Sequence, residues 1–164
     1  MMAVKTIEIH GANKHEPFSK TRVGCRGIVL KENRMLISHE VNTDYYLIPG
    51  GGLEEGESLE ECCVREIREE TGTLVKPRCR FLTINEYYKD YKFVGHYFLC
   101  DIIGQSEQNL TETERERGLI PEWIEPEKML ALYSKYNDFA EIDEDKSGSY
   151  LREYTALKEY FKIC

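Results

Sequence analysis

Three observations predict an α/β fold: several β-like runs rich in aliphatic and aromatic residues, one well-capped amphipathic helix set among them, and two helical segments near the C-terminal end. With 164 residues and 41% hydrophobic content the chain can bury one substantial core but is short for two, so a single domain over residues 1–164 is expected.

The chain opens with a short alternating piece, Thr6-Ile7-Glu8-Ile9-His10, that reads as an edge strand, and then a polar, turn-rich run over residues 11–20. Residues 23–30 and 34–38 are β-like runs around Lys31-Glu32-Asn33, which reads as a hairpin. A short aromatic strand over residues 44–48 leads into Pro49-Gly50-Gly51-Gly52, where glycines permit positive φ and close approach of the backbone to a ligand.

The helix that follows has both ends marked. Ser58 and Glu61 form an S-x-x-E capping box, and Gly72 stands where a left-handed residue would end the helix. Leu59, Cys63 and Ile67 repeat at i, i+4, i+8 as an apolar stripe, with Glu61, Arg65 and Arg68 on the opposite side. Glu66, Glu69 and Glu70 share the flank between. Like charges at these spacings cost about 0.2–0.5 kcal/mol per pair, and acids in the last turns oppose the helix dipole. A solvated acidic face is the bland reading. The helix end, the flank position and the preceding glycine turn favour a divalent cation, which carboxylate oxygens ligate naturally.

Beyond the helix, residues 74–85 and 93–103 read as two longer strands joined by a tyrosine-rich loop, whose side chains either stack on a base or cover the sheet edge. Residues 104–118 form a polar loop carrying Glu107, Glu112, Glu114 and Glu116, and residues 120–124 a late strand with Trp123. Helices are expected over about 126–137, with Pro126 in the first turn, and about 150–163. Between them Asp143-Glu144-Asp145-Lys146-Ser147-Gly148 resembles the start of an EF-hand loop, but its twelfth position is Tyr154 rather than a bidentate glutamate. A solvated turn with Ser149 capping the final helix is expected there.

Composition narrows the function classes. A net charge of −8 and a pI of about 5.1 make the surface repel nucleic-acid backbones, so phosphate has to be received locally, by metal or a few arginines. Arg22 and Arg26 are candidates. No GxxxxGK[ST] loop, H-E-x-x-H pattern or G-x-S-x-G elbow is present, so the nucleophile expected is water. Six cysteines without C-x2-C spacing, and no long apolar run or leader-like segment, give the expectation of a reduced, cytoplasmic protein with no membrane partner.

The stretch from Gly51 through Glu57, Arg65, Glu66, Ile67, Glu69, Glu70 and Gly72 to Thr73 resembles the Nudix box, G-x5-E-x7-R-E-U-x-E-E-x-G-U with U aliphatic, departing only at Thr73. The resemblance implies an α/β/α sandwich around a mixed β-sheet and a pyrophosphohydrolase acting on a nucleoside diphosphate linked to another group. The substrate would be a nucleoside triphosphate, dinucleoside polyphosphate or nucleotide sugar. It further implies Mg²⁺, with Mn²⁺ as an alternative, held by Glu66, Glu69, Glu70 and the Gly50 carbonyl. Glu69 is the first choice of general base and a loop glutamate the second, with Arg65 orienting Glu57 or Glu69. Arg22, Arg26 and Tyr88 are expected to meet substrate; a tyrosine near the position of Tyr87 or Tyr88 resembles the diadenosine-polyphosphate branch. A nucleotide-type small molecule is thus the expected partner, nucleic acid is disfavoured, and a homodimer is compatible. A catalytically silent nucleotide sensor and a calcium-responsive module acting through residues 143–154 are the competing classes.

Overall fold

The computed structural model describes residues 3–11 and 18–164, so residues 12–17 of the polar run lie outside it. Its strands are β1 (Lys5–His10), β2 (Lys20–Lys31), β3 (Arg34–Glu40), β4 (Tyr45–Leu47), β5 (Gly50–Gly52), β6 (Thr73–Tyr88), β7 (Tyr91–Gln105) and β8 (Leu119–Ile124). The helices are α1 (Leu59–Thr71), a short α2 (Glu112–Glu116), α3 (Pro126–Tyr133) and α4 (Glu144–Ile163), with a 3-10 turn at Tyr136–Phe139. The order β1-β6-β7-β2-β3-β4 forms a mixed sheet, with β5 paired to β2 and β8 to β3. β1 runs parallel to β6 and β2 parallel to β7; the other pairs are antiparallel.

Two apolar clusters separate the layers. Cys25, Val29, Leu36, Cys62, Cys63, Ile67 and Phe98 pack together around α1. Ile28, Ile37, Ile84 and Tyr97 pack with Met129, Tyr133, Tyr150 and Leu157 from α3 and α4. Alternate residues of β2 therefore face different helical layers, Val29 towards α1 and Ile28 towards α4, which is the period-2 alternation of a sheet covered on both faces. This is the α/β/α arrangement that the sequence resemblance implies.

Local signals around α1 are realised in full. Both hydrogen bonds of the Ser58–Glu61 capping box form, and Gly72 closes the helix at φ 72 with its amide donating to the Arg68 carbonyl. A Cβ at Gly72 would also overlap the Ser106 carbonyl. Gly72→Ala is accordingly expected to cost about 1–3 kcal/mol, read as a lowered denaturant midpoint at unchanged slope.

Elsewhere the structure corrects the sequence reading. The tyrosine-rich link is a tight hairpin, so Tyr87 and Tyr88 are strand residues. The polar loop after β7 contains α2, nucleated by its own capping box from Thr111 and Glu114. The helix expected to reach residue 137 ends at Tyr133 and continues only as the 3-10 turn. Residues 143–154 are not a loop. Asp143 accepts a hydrogen bond from the Lys146 amide and starts α4 six residues before the expected position, leaving Ser149 inside the helix. Lys146 is held over the Tyr45, Phe139 and Tyr150 rings, a tertiary gain that outweighs the turn-like composition. A calcium loop needs irregular backbone wrapping the ion, so the calcium-responsive reading falls.

Candidate functional site

β5 lays Gly50, Gly51 and Gly52 against Arg26, Cys25 and Gly24 of β2. A Cβ at Gly50 would overlap the Cys25 carbonyl, so glycine is a steric requirement there, and one at Gly51 would meet the Glu66 carboxyl. The run of glycines brings the helix carboxylates directly onto the turn.

Arg65 organises the acids. Helical spacing alone places it away from the core, yet its long stem folds back and the guanidinium is largely covered. It grips Glu57 with two hydrogen bonds of 2.6 and 3.0 Å, and reaches Glu66 at 2.8 Å, Glu69 at 3.2 Å and the Gly52 carbonyl at 2.9 Å. The fork geometry suits arginine and not lysine. These bonds hold the Glu57 carboxyl below the usual range and push the Arg65 pKa up. One positive charge hydrogen-bonds three carboxylates and has a fourth, Glu54, at 3.7 Å, leaving an excess of negative charge beside the turn.

Glu70 points the other way. Its carboxyl accepts from Ser38 Oγ at 2.7 Å and from the Gly50 amide at 3.2 Å. Burial pushes its pKa up to about 8 despite the Arg26 charge nearby, and burial also raises Glu66. Among the described residues no three His, Cys, Asp or Glu side chains are gathered as a ready metal cage. Glu66 and Glu70 border the glycine turn, and Glu69 stands beside Arg65.

On the α4 side of the sheet, a cleft of about 260 Å³ is lined by Arg22, Gly24, Arg26, Gly51, Gly52, Glu86, Phe93, Gly95 and Arg152. Its floor lacks side chains because Gly24 and Gly95 are register partners on β2 and β7. A larger chamber of about 440 Å³ adjoins it, walled by Tyr88, Tyr91 and Phe93 and roofed by the start of α4 at Gly148 and Ser149. Glu86, Phe93 and Arg152 line both, so the two form one trough. The sequence candidates Arg22, Arg26 and Tyr88 all open onto it. Arg26 is half committed to the fold, donating to the Ile48 carbonyl at 2.6 Å.

Four residues escaped the sequence reading: Ser38, Glu86, Arg152 and Glu153. Glu153 is fully buried and accepts from the Ile48 amide at 2.7 Å, Tyr97 Oη at 2.6 Å and Arg152 Nε at 2.9 Å. The Arg152 and Arg26 guanidiniums overcome the opposing effect of burial and hold its carboxyl below the ordinary range. A signal was present, since Glu153 lies on the α4 stripe Tyr150, Leu157, Tyr160 where an apolar residue belongs. Through Ile48 this network anchors the residue that precedes Pro49 and the glycine turn.

Comparison with known proteins places this geometry among relatives. The chain is 32% identical over 107 residues to an ADP-ribose pyrophosphatase of Methanocaldococcus jannaschii, covering 61% of this chain and 62% of that one, so it spans less than two thirds of that relative's length. It is 26% identical over 135 residues to an RNA pyrophosphohydrolase of Sphingopyxis alaskensis, covering 68% and 84%. A solved NUDIX hydrolase from Nitrosomonas europaea shares the fold with a TM-score of 0.58 at 20% identity, covering 68% of this chain and 77% of that one. The NUDIX domain family matches residues 20–144, well over half the chain, and the protein belongs to that family.

Proposed function

We propose that this chain hydrolyses the pyrophosphate bond of a nucleoside diphosphate linked to another group, in a reaction that requires Mg²⁺. The observation that carries this reading is the continuity of the trough with the glycine turn. Gly51 and Gly52 line the basic cleft on one side and meet the Glu66 carboxyl and Arg65 guanidinium on the other. In a chain of net charge −8, Arg22, Arg26 and Arg152 make that cleft a local exception suited to phosphate.

The donor chemistry fits a hard cation. Mg²⁺ is usually held by one or two carboxylates, completed by waters and substrate phosphates, so it needs no cage of three converging side chains. Glu66, Glu69, Glu70 and the Gly50 carbonyl are the residues that would hold it. When bound, the ion offsets charge developing on the phosphates and lowers the pKa of a bound water. Arg65 keeps Glu57 and Glu69 in place, Arg22 and Arg26 receive the diphosphate, and Glu69 accepts the proton as water attacks phosphorus. The names borne by the relatives, ADP-ribose pyrophosphatase and RNA pyrophosphohydrolase, support this class of reaction. Product-resolved assays over ADP-ribose, nucleoside triphosphates and dinucleoside polyphosphates, with Mg²⁺ and with chelator, test it. No cleavage of any of them in Mg²⁺ or Mn²⁺ would favour a silent nucleotide sensor.

A pH dependence follows from Glu70. The folded, metal-free protein keeps that proton up to about pH 8, whereas the unfolded chain loses it near the ordinary value. This group therefore lowers stability as pH rises from about 4.5 towards 8. Ligation requires the carboxylate, so cation binding expels the proton. Mg²⁺ affinity measured by calorimetry is expected to be tighter at pH 8 than at pH 6, with proton release at pH 6. Equal affinity and no proton release at pH 6 would remove Glu70 from the ligand set.

A further inference from the structure

The waist of the trough carries chemistry that the metal site does not use. Glu86 on β6 is 3% exposed, lines both halves of the trough, and accepts a hydrogen bond from Tyr88 Oη at 3.3 Å. Its Oε2 lies 3.9 Å from Arg152 Nη1, beyond hydrogen-bond length. Arg152 is meanwhile engaged by Glu153 through Nε, so the guanidinium balances the charge of Glu86 without closing on it. An ionised carboxylate is an acceptor-only group, so at the wall of a trough it suits a ligand that brings hydroxyl donors. The structure thus places a carboxylate acceptor at the point where the basic cleft and the aromatic chamber meet.

The order of groups along the trough matches the order of groups in a nucleotide. Arg22, Arg26 and the glycine turn stand at the phosphate end. Tyr88, Tyr91 and Phe93 stand at the other, with Tyr91 and Phe93 stacked at 5.8 Å and Tyr88 tilted against Phe93 at 6.4 Å, offering ring faces and edges to a base. A chamber of about 440 Å³ is within the range of small-molecule sites. What joins phosphate to base is the pentose. A ribose presents two neighbouring hydroxyl donors, which a single carboxylate can accept together.

We infer that Glu86, with Arg152 beside it, holds the 2′- and 3′-hydroxyls of the substrate's ribose, so that the chain selects ribonucleotides over 2′-deoxyribonucleotides. This rests on the activity proposed above for the metal-binding end of the same trough, and it adds a sugar preference that the activity alone does not require. A deoxy sugar leaves one buried carboxylate oxygen without its donor, which is the kind of defect that a polar site rejects most strongly.

Calorimetric titration of the intact protein with ADP and 2′-deoxy-ADP, and with GDP and 2′-deoxy-GDP, tests the inference without requiring turnover. The ribose form is expected to bind on the order of tenfold to a hundredfold more tightly with both bases. Glu86→Gln should reduce that ratio to near one, mainly by weakening the ribose form. Gly95→Leu should weaken both sugars together: a Cβ there meets only ordinary contacts, 3.6 Å from Tyr97, and Gly95 lines the cleft that the added bulk would narrow. Equal affinity for the two sugars in the parent, a preference that survives Glu86→Gln, undiminished binding in Gly95→Leu, or no binding of either sugar would overturn the inference. Mg²⁺-dependent hydrolysis measured in parallel separates the two readings. Cleavage without sugar preference sinks only the ribose assignment, and sugar preference without cleavage sinks only the hydrolase.

Discussion

A Glu69→Gln variant is expected to fold as the parent does and to lose roughly 10²–10⁴-fold in turnover. The Glu69 side chain is 26% exposed against 14% for Glu66, and its close contact is the Arg65 hydrogen bond at 3.2 Å. Glutamine keeps the length of the side chain and an oxygen for Arg65, so the clamp on Glu57 and Glu66 stays assembled. The loss falls on the negative charge and the capacity to take a proton. Glu70→Gln makes a useful contrast, because it disturbs the Ser38 and Gly50 contacts that shape the turn and so affects structure together with chemistry. Circular dichroism and steady-state assays at saturating Mg²⁺ decide the matter. Near-parent turnover in Glu69→Gln would take the proton-accepting role away from this residue and pass it to another carboxylate at the turn.

What could be read from the chain and what could not divide along the range of the interactions. The site helix was legible because its determinants are local: a capping box three residues wide, a glycine stop, and glutamates whose shared flank follows from 3.6-residue periodicity. Periodicity sets Arg65 opposite the apolar stripe, but the reach of its stem from that face to the glycine turn is not a property of spacing. The C-terminal helix starts earlier than its composition suggests for a different reason. Gly148 and the acidic run suggested a turn, but a Cβ at residue 148 would press on Tyr88 Oη at 3.2 Å, so the glycine makes room for a strand residue rather than ending a helix. The buried acid on that helix draws its partners from Ile48 and Tyr97, 105 and 56 residues away, and no window on the sequence contains them. The trough is likewise assembled from β2, β5, β6, β7 and α4, so only its isolated members Arg22, Arg26 and Tyr88 could be nominated in advance.

Glu153→Ala is expected to be the most destabilising single substitution outside the apolar core, at about 3–5 kcal/mol. The change removes three hydrogen bonds at once and leaves the Ile48 amide and Tyr97 hydroxyl buried without an acceptor. It also leaves the buried Arg152 guanidinium with Glu86, at 3.9 Å, as its one remaining carboxylate among the described residues. For a domain of this size the loss corresponds to a fall on the order of 10 °C in melting temperature. Its pH dependence has a definite sign. The folded-state pKa of Glu153 is depressed, so its contribution is fully present above the ordinary glutamate value and is lost as pH falls through the folded value. The gap in stability between parent and Glu153→Ala should therefore narrow as the medium is acidified. Glu153→Gln, which keeps an acceptor but not the charge, should fall between the two at neutral pH. Because Ile48 leads directly into Pro49 and the glycine turn, the alanine variant should also lose activity below its melting transition, in proportion to how far the turn is released. A melting temperature within about 2 °C of the parent would mean that the α4 carboxylate does not fix the turn, and the rigidity of the site would have to come from the β2–β5 pairing alone.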